Sequence, residues 1–148
     1  MDYLRVFFVA ALPVFEIRGA VPLGIYYGLR SWEALLIGVL GNIAIIMPWL
    51  LVLCWLEDFF GENRLTAPLY RSLIRRVEKR KASFAKYGKV ALFLFVAVPL
   101  PTTGAWTACI ASRVFRIPMR ETFVFIALGV VAAGVLMVLK TKLIMQTF

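Results

Sequence analysis

A polar stretch inside an apolar segment limits what this chain can fold into more than any other feature. Residues 12–24 read LPVFEIRGAVPLG, and they place the Glu16 carboxylate and the Arg18 guanidinium in the middle of an apolar run. Two prolines and two glycines in the same stretch disfavour a continuous helix. Charges and non-helical backbone are costly inside a membrane, so they usually mark a site that handles something polar.

The composition is that of an integral membrane protein. Of the 148 residues 62% are hydrophobic, well above the roughly 45–50% apolar content of soluble domains, and the mean hydropathy is +0.87. The net charge of +9 lies mostly between the apolar segments, as is typical of cytoplasmic loops beside anionic headgroups. We therefore expect a multi-pass protein of the cell inner (cytoplasmic) membrane, with membrane lipids as partners and no nucleic acid. The first apolar run is short and no signal-cleavage site follows it, so we expect no cleaved signal peptide.

Side chains that commonly hold metals or perform catalysis are scarce. The chain has no histidine, and its two cysteines lie in separate apolar segments. It has no CxxC pair, no pair of carboxylates at membrane depth and no phosphate-cradling glycine loop. We therefore expect no metal, no cofactor and no enzymatic activity.

Four apolar segments make up most of the chain, at residues 6–29, 32–56, 90–112 and 122–139. A membrane-spanning helix needs about 20 residues, so the second and fourth segments are predicted to be transmembrane helices. Prolines and glycines interrupt the first and third segments. The order of an interrupted segment followed by a whole helix therefore occurs twice.

Corresponding residues support this internal repeat. Gly19 and Gly104, each followed by alanine, lie in the two interrupted segments and are 85 residues apart. Glu33 and Glu121 lie near the starts of the two whole helices and are 88 residues apart, where a carboxylate suits the positive end of the helix dipole.

We predict an all-α integral membrane protein with a single domain, residues 1–148. It contains two inverted repeats, at about 4–57 and 90–142, each a re-entrant broken-helix hairpin followed by a transmembrane helix. The alternative is that each interrupted segment crosses the membrane completely, which would make the repeats parallel. The positive-inside rule does not separate the two topologies, because, with Arg18 left out, both place twelve basic residues inside and four outside. The clustered helix breakers favour re-entrance, since two facing interruptions can shelter each other's non-helical backbone.

A basic linker joins the repeats. Residues 64–89 hold nine of the 17 Lys and Arg residues and one acid. Apolar residues fall at every fourth position from Leu65 to Val77, which predicts a basic amphipathic helix on the cytoplasmic surface. The alternative is a plain positively charged loop.

Glu16 and Arg18 are the leading candidates for a functional site. Among the eight acidic residues only Glu16 lies deep in an apolar segment. Burial favours the neutral carboxylic acid and a nearby cation favours the carboxylate, so such a group can exchange a proton. Arg18 is always charged and can bind phosphate or carboxylate in a forked geometry. The alternative is a structural ion pair between Glu16 and Arg18, brought together by a break at Gly19.

The second interrupted segment contributes the other candidates. Thr102, Thr103 and Thr107 can line a cavity or satisfy backbone groups freed by the interruption. Trp106 can form a wall of the site or an interfacial anchor, and Gly104 lies at the interruption. Packing or kinking roles are expected for six further residues in the whole helices: Gly38, Gly41, Asn42, Pro48, Gly129 and Gly134.

Both interruptions resemble the motifs of a known family. Residues 13–24 (PVFEIRGAVPLG) resemble the signature of the putative small multidrug export proteins, and residues 99–107 (PLPTTGAWT) resemble that family's second motif. The family is distantly similar to the DedA, or VTT, membrane proteins, which implies inverted re-entrant hairpins with Glu16 and Arg18 in the first tip. The wider superfamily is linked to proton-dependent membrane homeostasis, polyprenyl-phosphate carrier recycling and lipid scrambling. DedA proteins usually carry an arginine in the second hairpin, where this chain has threonines, so binding of a phosphate would fall to Arg18.

These observations predict a small secondary transporter or lipid translocase that is proton-coupled and forms a homodimer. Its substrate would be amphipathic, such as a polyprenyl-phosphate lipid carrier or an exported drug-like compound. The predicted substrate-binding or coupling residues are Glu16, Arg18, Gly19, Thr102, Thr103, Gly104, Trp106 and Thr107. The alternative is a structural or scaffold membrane protein in which Glu16 and Arg18 only stabilise the fold. An ion channel is less well supported, because no ring of charges or carbonyl filter is evident.

Overall fold

The computed structural model describes residues 1–62, 81–98 and 104–147, and every regular element in these ranges is helical. The six helices are α1 (Asp2–Ala11), α2 (Glu16–Tyr26), α3 (Ser31–Glu62), α4 (Lys81–Ala97), α5 (Ala105–Val114) and α6 (Met119–Thr147). This confirms the all-helical prediction. Within the same ranges α3 and α6 are long and apolar enough to cross a membrane, in agreement with the two predicted transmembrane helices.

The first interruption is shorter than the sequence predicts. It is confined to residues 12–15, while Gly19, Pro22 and Gly24 lie inside α2. These residues weaken α2 as an isolated helix, but small residues let it pack closely on its neighbours. At Gly24, an added Cβ would lie only 2.8 Å from Ala34 Cβ. Packing therefore maintains a helix that local propensity alone would not.

Helices α1 and α2 form an antiparallel hairpin with the first interruption at its tip. Val6 and Ala10 of α1 are buried in one cluster with Ala20 of α2. At the open end, the guanidinium of Arg5 lies 5.9 Å from the centre of the Tyr27 ring. The chain therefore returns along α1 before α3 begins.

The second half of the chain repeats the element order of the first. Each half contains a helix, an interruption, a short helix, a tight turn and a long helix, so that α1–α3 correspond to α4–α6. Gly28 (φ 83°) and Arg116 (φ 53°) have left-handed backbone at equivalent positions of the two turns. They are 88 residues apart, so the position equivalent to Gly104 is Glu16. The spacing of 85 residues suggested by Gly19 is therefore wrong, because Gly19 lies within α2 and not at the interruption.

A close helix contact also recurs in both halves. A Cβ added at Gly41 of α3 would collide with the Phe7 carbonyl oxygen of α1, and one at Gly129 of α6 would lie 2.9 Å from the Phe93 carbonyl oxygen of α4. The packing role predicted for these two glycines agrees with these contacts. Each requires glycine because a backbone passes directly against it.

Helices α3 and α6 run in opposite directions. Gly134, in the middle of α6, lies against Leu35 near the start of α3. Arg113, just before α6, bonds to Glu57 near the end of α3. Each short helix also packs on the long helix of the other half, α2 on α6 and α5 on α3. The main core lies among these elements and includes Ile17, Ile46, Ile126 and Val130.

Most of the predicted basic linker helix lies outside the described residues. Residues 63–80 are not described, and Lys81 to Lys89 form the first part of α4. The second repeat therefore begins within the predicted linker. Lys89 pairs with Glu121 at 2.8 Å and connects α4 to the start of α6.

Candidate functional site

Glu16 connects the two halves of the molecule. It begins α2 with left-handed backbone (φ 47°), and its side chain is buried, with the residue only 6% exposed. Its carboxylate accepts hydrogen bonds from the backbone N–H groups of Ala105 at 3.2 Å and Trp106 at 3.3 Å. These groups belong to the first turn of α5, where backbone N–H groups have no acceptor within the helix. Glu16 therefore places its negative charge at the positive end of α5.

Gly104 provides the space for this contact. It is the N-cap of α5 with extended backbone, and an added Cβ would collide with both carboxylate oxygens of Glu16. The Thr107 hydroxyl accepts a hydrogen bond from Gly104 N–H at 3.0 Å and donates one to the Gly104 carbonyl at 3.1 Å. Thr107 therefore fixes the start of α5, and Gly104 allows Glu16 to approach it.

Arg18 makes the complementary contact with the other side of the second interruption. Its Nη2 donates hydrogen bonds to the carbonyl groups of Val96 at 3.2 Å and Val98 at 3.0 Å. Carbonyl groups at the end of a helix carry partial negative charge and have no donor within the helix. The two charges of the first half thus match the two helix ends that face the second interruption, Glu16 at the start of α5 and Arg18 at the end of α4.

The remaining predicted residues have separate positions. Gly19 lies in α2, where its N–H donates to the Phe15 carbonyl at 2.8 Å and a Cβ would lie 2.9 Å from Phe15 Cβ. It permits the tight turn that presents Glu16. Thr102 and Thr103 lie outside the described residues.

Two tryptophans lie beside the start of α5. Trp106 packs against Trp49 of α3 with ring centres 4.4 Å apart. The indole N–H groups of both are buried and have no hydrogen-bond partner among the described residues. The two tryptophan residues line a narrow apolar depression together with Ala105 and Cys109. Trp106 therefore packs against α3 beside the start of α5, and its role as a wall of a site stays a prediction.

Asn42 is a further polar residue without a partner. It is fully buried in α3, and both its amide nitrogen and its amide oxygen lack hydrogen-bond partners in the described part of the chain. One turn earlier Gly38 faces Ile17, and one turn later Ile46 lines the depression beside α5. Asn42 therefore lies on α3 between a residue that faces Ile17 and a residue that lines this depression.

Sequence reasoning assigned Asn42 to packing and did not single out Trp49. A signal for both was present in the spacing of residues 42, 46 and 49, which lie on one face of a helix and include two residues with N–H donors. An unsatisfied buried polar group costs about 1–3 kcal/mol. The described part of the chain therefore holds three residues with this cost, and two of them, Trp49 and Trp106, lie beside the start of α5.

Two chemical features of this site bear on what it can bind. Among the residues that the structure describes, no three His, Cys, Asp or Glu side chains lie close enough to hold a metal ion. A proton on Glu16 would remove the charge that attracts it to α5 and would weaken the link between the halves.

The comparisons with known proteins agree with the resemblance drawn from the two motifs. The sequence model of a family described as putative small multi-drug export protein matches residues 16–136, which include both short helices and most of both long helices. No curated protein and no solved structure matches the chain. The relation to DedA or VTT proteins stays a prediction.

Proposed function

We propose that this chain, which belongs to the family of putative small multi-drug export proteins, is a small proton-coupled secondary transporter or lipid translocase. Its substrate is an amphipathic anion, such as a polyprenyl-phosphate lipid carrier or a drug-like compound with an acidic group. It works in the cell inner membrane as a multi-pass protein and as a homodimer. Two long apolar helices and the export family support the membrane location.

The contact between Glu16 and α5 carries this proposal. Glu16 is buried, has left-handed backbone, and reaches across to the other half of the molecule. A buried charge costs free energy and a left-handed non-glycine residue costs about 1–3 kcal/mol. Such costs are typical of functional sites, and an ionisable group at membrane depth is often a proton-binding or substrate-binding group.

The geometry supports inverted re-entrant repeats. Helices α1 and α2 are each about 15 Å long, roughly half of the ~30 Å apolar core of a bilayer. Their antiparallel hairpin therefore enters and leaves on one side. Because α3 and α6 are antiparallel, the second interruption would enter from the opposite side. The two tips then meet near the midplane, with Glu16 in one and Gly104 in the other.

Proton coupling follows from the state of Glu16. When Glu16 is charged, it holds the start of α5 and keeps the two halves together. When it is protonated, the contact weakens and one half can rock against the other, which opens the site to one side of the membrane. Arg18 supplies a permanent positive charge for the substrate anion.

The experiment is transport by purified protein in liposomes. A fluorescent acidic dye and a labelled phospho-polyprenol are each followed with and without a pH gradient. Glu16→Gln is expected to lower gradient-driven transport at least about tenfold, as expected when a coupling group loses its proton exchange. The charge-matched control is Glu33→Gln, a half-buried residue whose carboxylate accepts a bond from Arg30 N–H, and it is expected to keep wild-type transport. Equal transport by Glu16→Gln and wild type would contradict the proposal.

A scaffold role is the second candidate, and the same contacts give it some support. Glu16 and Arg18 both bind backbone groups of the other half, as stabilising caps would. In that case Glu16→Gln would lower the melting temperature and leave function unchanged per folded molecule. Charge reversal of basic residues within 64–89 would instead abolish function.

A further inference from the structure

We infer that the Glu16 carboxylate is an internal occupant of an anion site at the start of α5, and that a tetrahedral oxyanion of the phosphate type competes with it for this site. The inference rests on the proposed function only in taking the substrate to be an anion. It adds where that anion binds and in which protonation state of Glu16.

The first observation is the local design of the start of α5. A helix usually satisfies its first N–H groups with a polar N-cap residue of its own, such as Ser or Asp. Here the N-cap is Gly104, and the acceptor is a carboxylate from the other half of the molecule. Stabilising α5 does not require this remote acceptor. A glycine N-cap that leaves space for a bulky oxyanion suits a site that exchanges its occupant.

The second observation is a set of buried N–H donors without partners, two in the tryptophans beside this helix end and one in Asn42 of α3. The amide nitrogen of fully buried Asn42 and the indole nitrogens of Trp49 and Trp106 are all N–H donors without partners in the described part of the chain. Among the buried side-chain atoms of the described ranges, only the Asn42 amide oxygen is an acceptor without a partner. A surplus of buried donors requires an acceptor-rich ligand. A phosphate group has more acceptor oxygens than a carboxylate and can satisfy donors that Glu16 leaves unbonded.

The third observation is the difference between the repeats. Glu16 and Gly104 are equivalent positions, at the interruptions of the two halves. At equivalent positions, one half therefore has a carboxylate and the other has a glycine, whose missing side chain leaves space for that carboxylate. The donor–acceptor contact occurs between the halves, so a ligand that replaces Glu16 would also replace the contact that joins them.

The charged groups around Glu16 determine whether its protonation favours or opposes anion binding. Arg18 on α2 is the ionisable group that acts on Glu16, and Glu16 in turn acts on the buried Cys109 on α5. Ionisable residues described on α1, α3 and α6 fall toward helix ends, and Lys89 on α4 is paired with Glu121. Protonation of Glu16 frees the Ala105 and Trp106 N–H groups in a site that stays positive, so the proton and the anion bind together. A cationic substrate would face these N–H donors and the Arg18 guanidinium, which would repel it.

The test is binding by purified protein in micelles of an uncharged detergent. The probe is dihexyl phosphate, which remains a monoanion from about pH 5 to pH 9, and the readouts are tryptophan fluorescence and melting temperature. Because one proton is taken up on binding, wild-type affinity should rise about tenfold for each pH unit lowered while Glu16 is mostly ionised, and it should level off once Glu16 is mostly protonated. Glu16→Gln should bind independently of pH and at least about ten times more tightly than wild type at pH 8. Glu33→Gln should keep the wild-type pH dependence.

A second variant and two further probes keep the test decisive. Glu16→Gly suits the left-handed backbone, removes the occupant, and should bind like Glu16→Gln. Dimethyl phosphate lacks the alkyl chains. If it also binds, the site takes a free phosphate-type anion, and if only dihexyl phosphate binds, the site takes a lipid-like headgroup. Tetraphenylphosphonium, a lipophilic cation, should bind no better to wild type at pH 8 than to Glu16→Gln.

Several results would overturn the inference. These are no binding of dihexyl phosphate to any form, no gain in affinity for both Glu16 variants at pH 8, or a pH dependence that persists without Glu16. Loss of tetraphenylphosphonium binding in Glu16→Gln would show that Glu16 binds a cation. A failure of the liposome transport assay with the expected binding results would reject the proposed function and leave this inference standing.

Discussion

Residue 104, at the start of α5, is a glycine because the Glu16 carboxylate occupies the space that a side chain would fill. Gly104→Ala should therefore displace Glu16, lower the free energy of unfolding by about 1–3 kcal/mol, and abolish proton-driven transport. In a Glu16→Gly background the same alanine has space, so its cost should fall below about 0.5 kcal/mol. A double-mutant cycle of thermal unfolding in micelles measures this coupling. Additive effects of the two substitutions would mean that they do not share this space.

Asn42 provides a second test at the level of one side chain. Asn42→Leu replaces a buried amide without partners by an apolar group of similar volume, and it should raise the free energy of unfolding by about 1–3 kcal/mol. It should also weaken dihexyl phosphate binding, because a donor is lost. Ser112→Ala is the matched control, since the buried Ser112 hydroxyl already donates to the Cys109 carbonyl at 2.7 Å. That variant should not be more stable than wild type. A destabilised Asn42→Leu protein would mean that Asn42 serves packing.

The sequence was sufficient to select Glu16, Arg18 and the second interruption, because charges and helix breakers are conspicuous in an apolar chain. It was not sufficient to identify their partners. Glu16 and Arg18 bind backbone N–H and carbonyl groups, which every residue has and no sequence pattern marks. The role of Asn42 was equally hidden, because its unsatisfied amide depends on which helices surround it.

Helix propensity predicts that Gly19, Pro22 and Gly24 interrupt a helix, but at the level of the elements all three lie inside α2. Gly19 and Gly24 allow close contacts, and Pro22 is accommodated within the helix. Only residues 12–15 interrupt the chain before α2. Helix propensity was a weak guide here because the contacts of α2 with α1, α3 and α6 override it.

The two tight turns after the short helices allow the topology to be tested. A cysteine at Arg116, in a chain with Cys54 and Cys109 replaced by serine, should react with a membrane-impermeant thiol reagent only from the cytoplasmic side if the hairpins are re-entrant. Arg30→Cys should react from the opposite side in either topology, and it serves as the orientation reference. Reaction of both cysteines from the same side would support complete crossings and reject inverted repeats.

On the scale of the whole molecule, the order of elements was predictable and the relation between the halves was not. The lengths of the apolar segments predicted α3 and α6, but the distribution of basic residues was the same for both topologies. The antiparallel packing of α3 on α6 depends on contacts between residues about 55 or about 100 positions apart, such as Glu57 with Arg113 and Leu35 with Gly134. The periodicity of apolar residues within a short segment does not predict contacts between residues so far apart in the sequence.

If the proton on Glu16 controls the contact between the halves, the start of α5 should respond to pH. Hydrogen exchange of the Ala105 and Trp106 amides should be slow at high pH relative to their intrinsic rates, because Glu16 accepts both hydrogen bonds. Protection should fall at least about tenfold on acidification through the titration of Glu16, since the neutral acid is the weaker acceptor. Glu16→Gln should show the low protection at every pH, whereas amides in the middle of α3 should not change in either protein. Protection at α5 that is equal in both proteins and constant with pH would mean that the halves stay closed regardless of Glu16, and proton coupling would then have to involve another group.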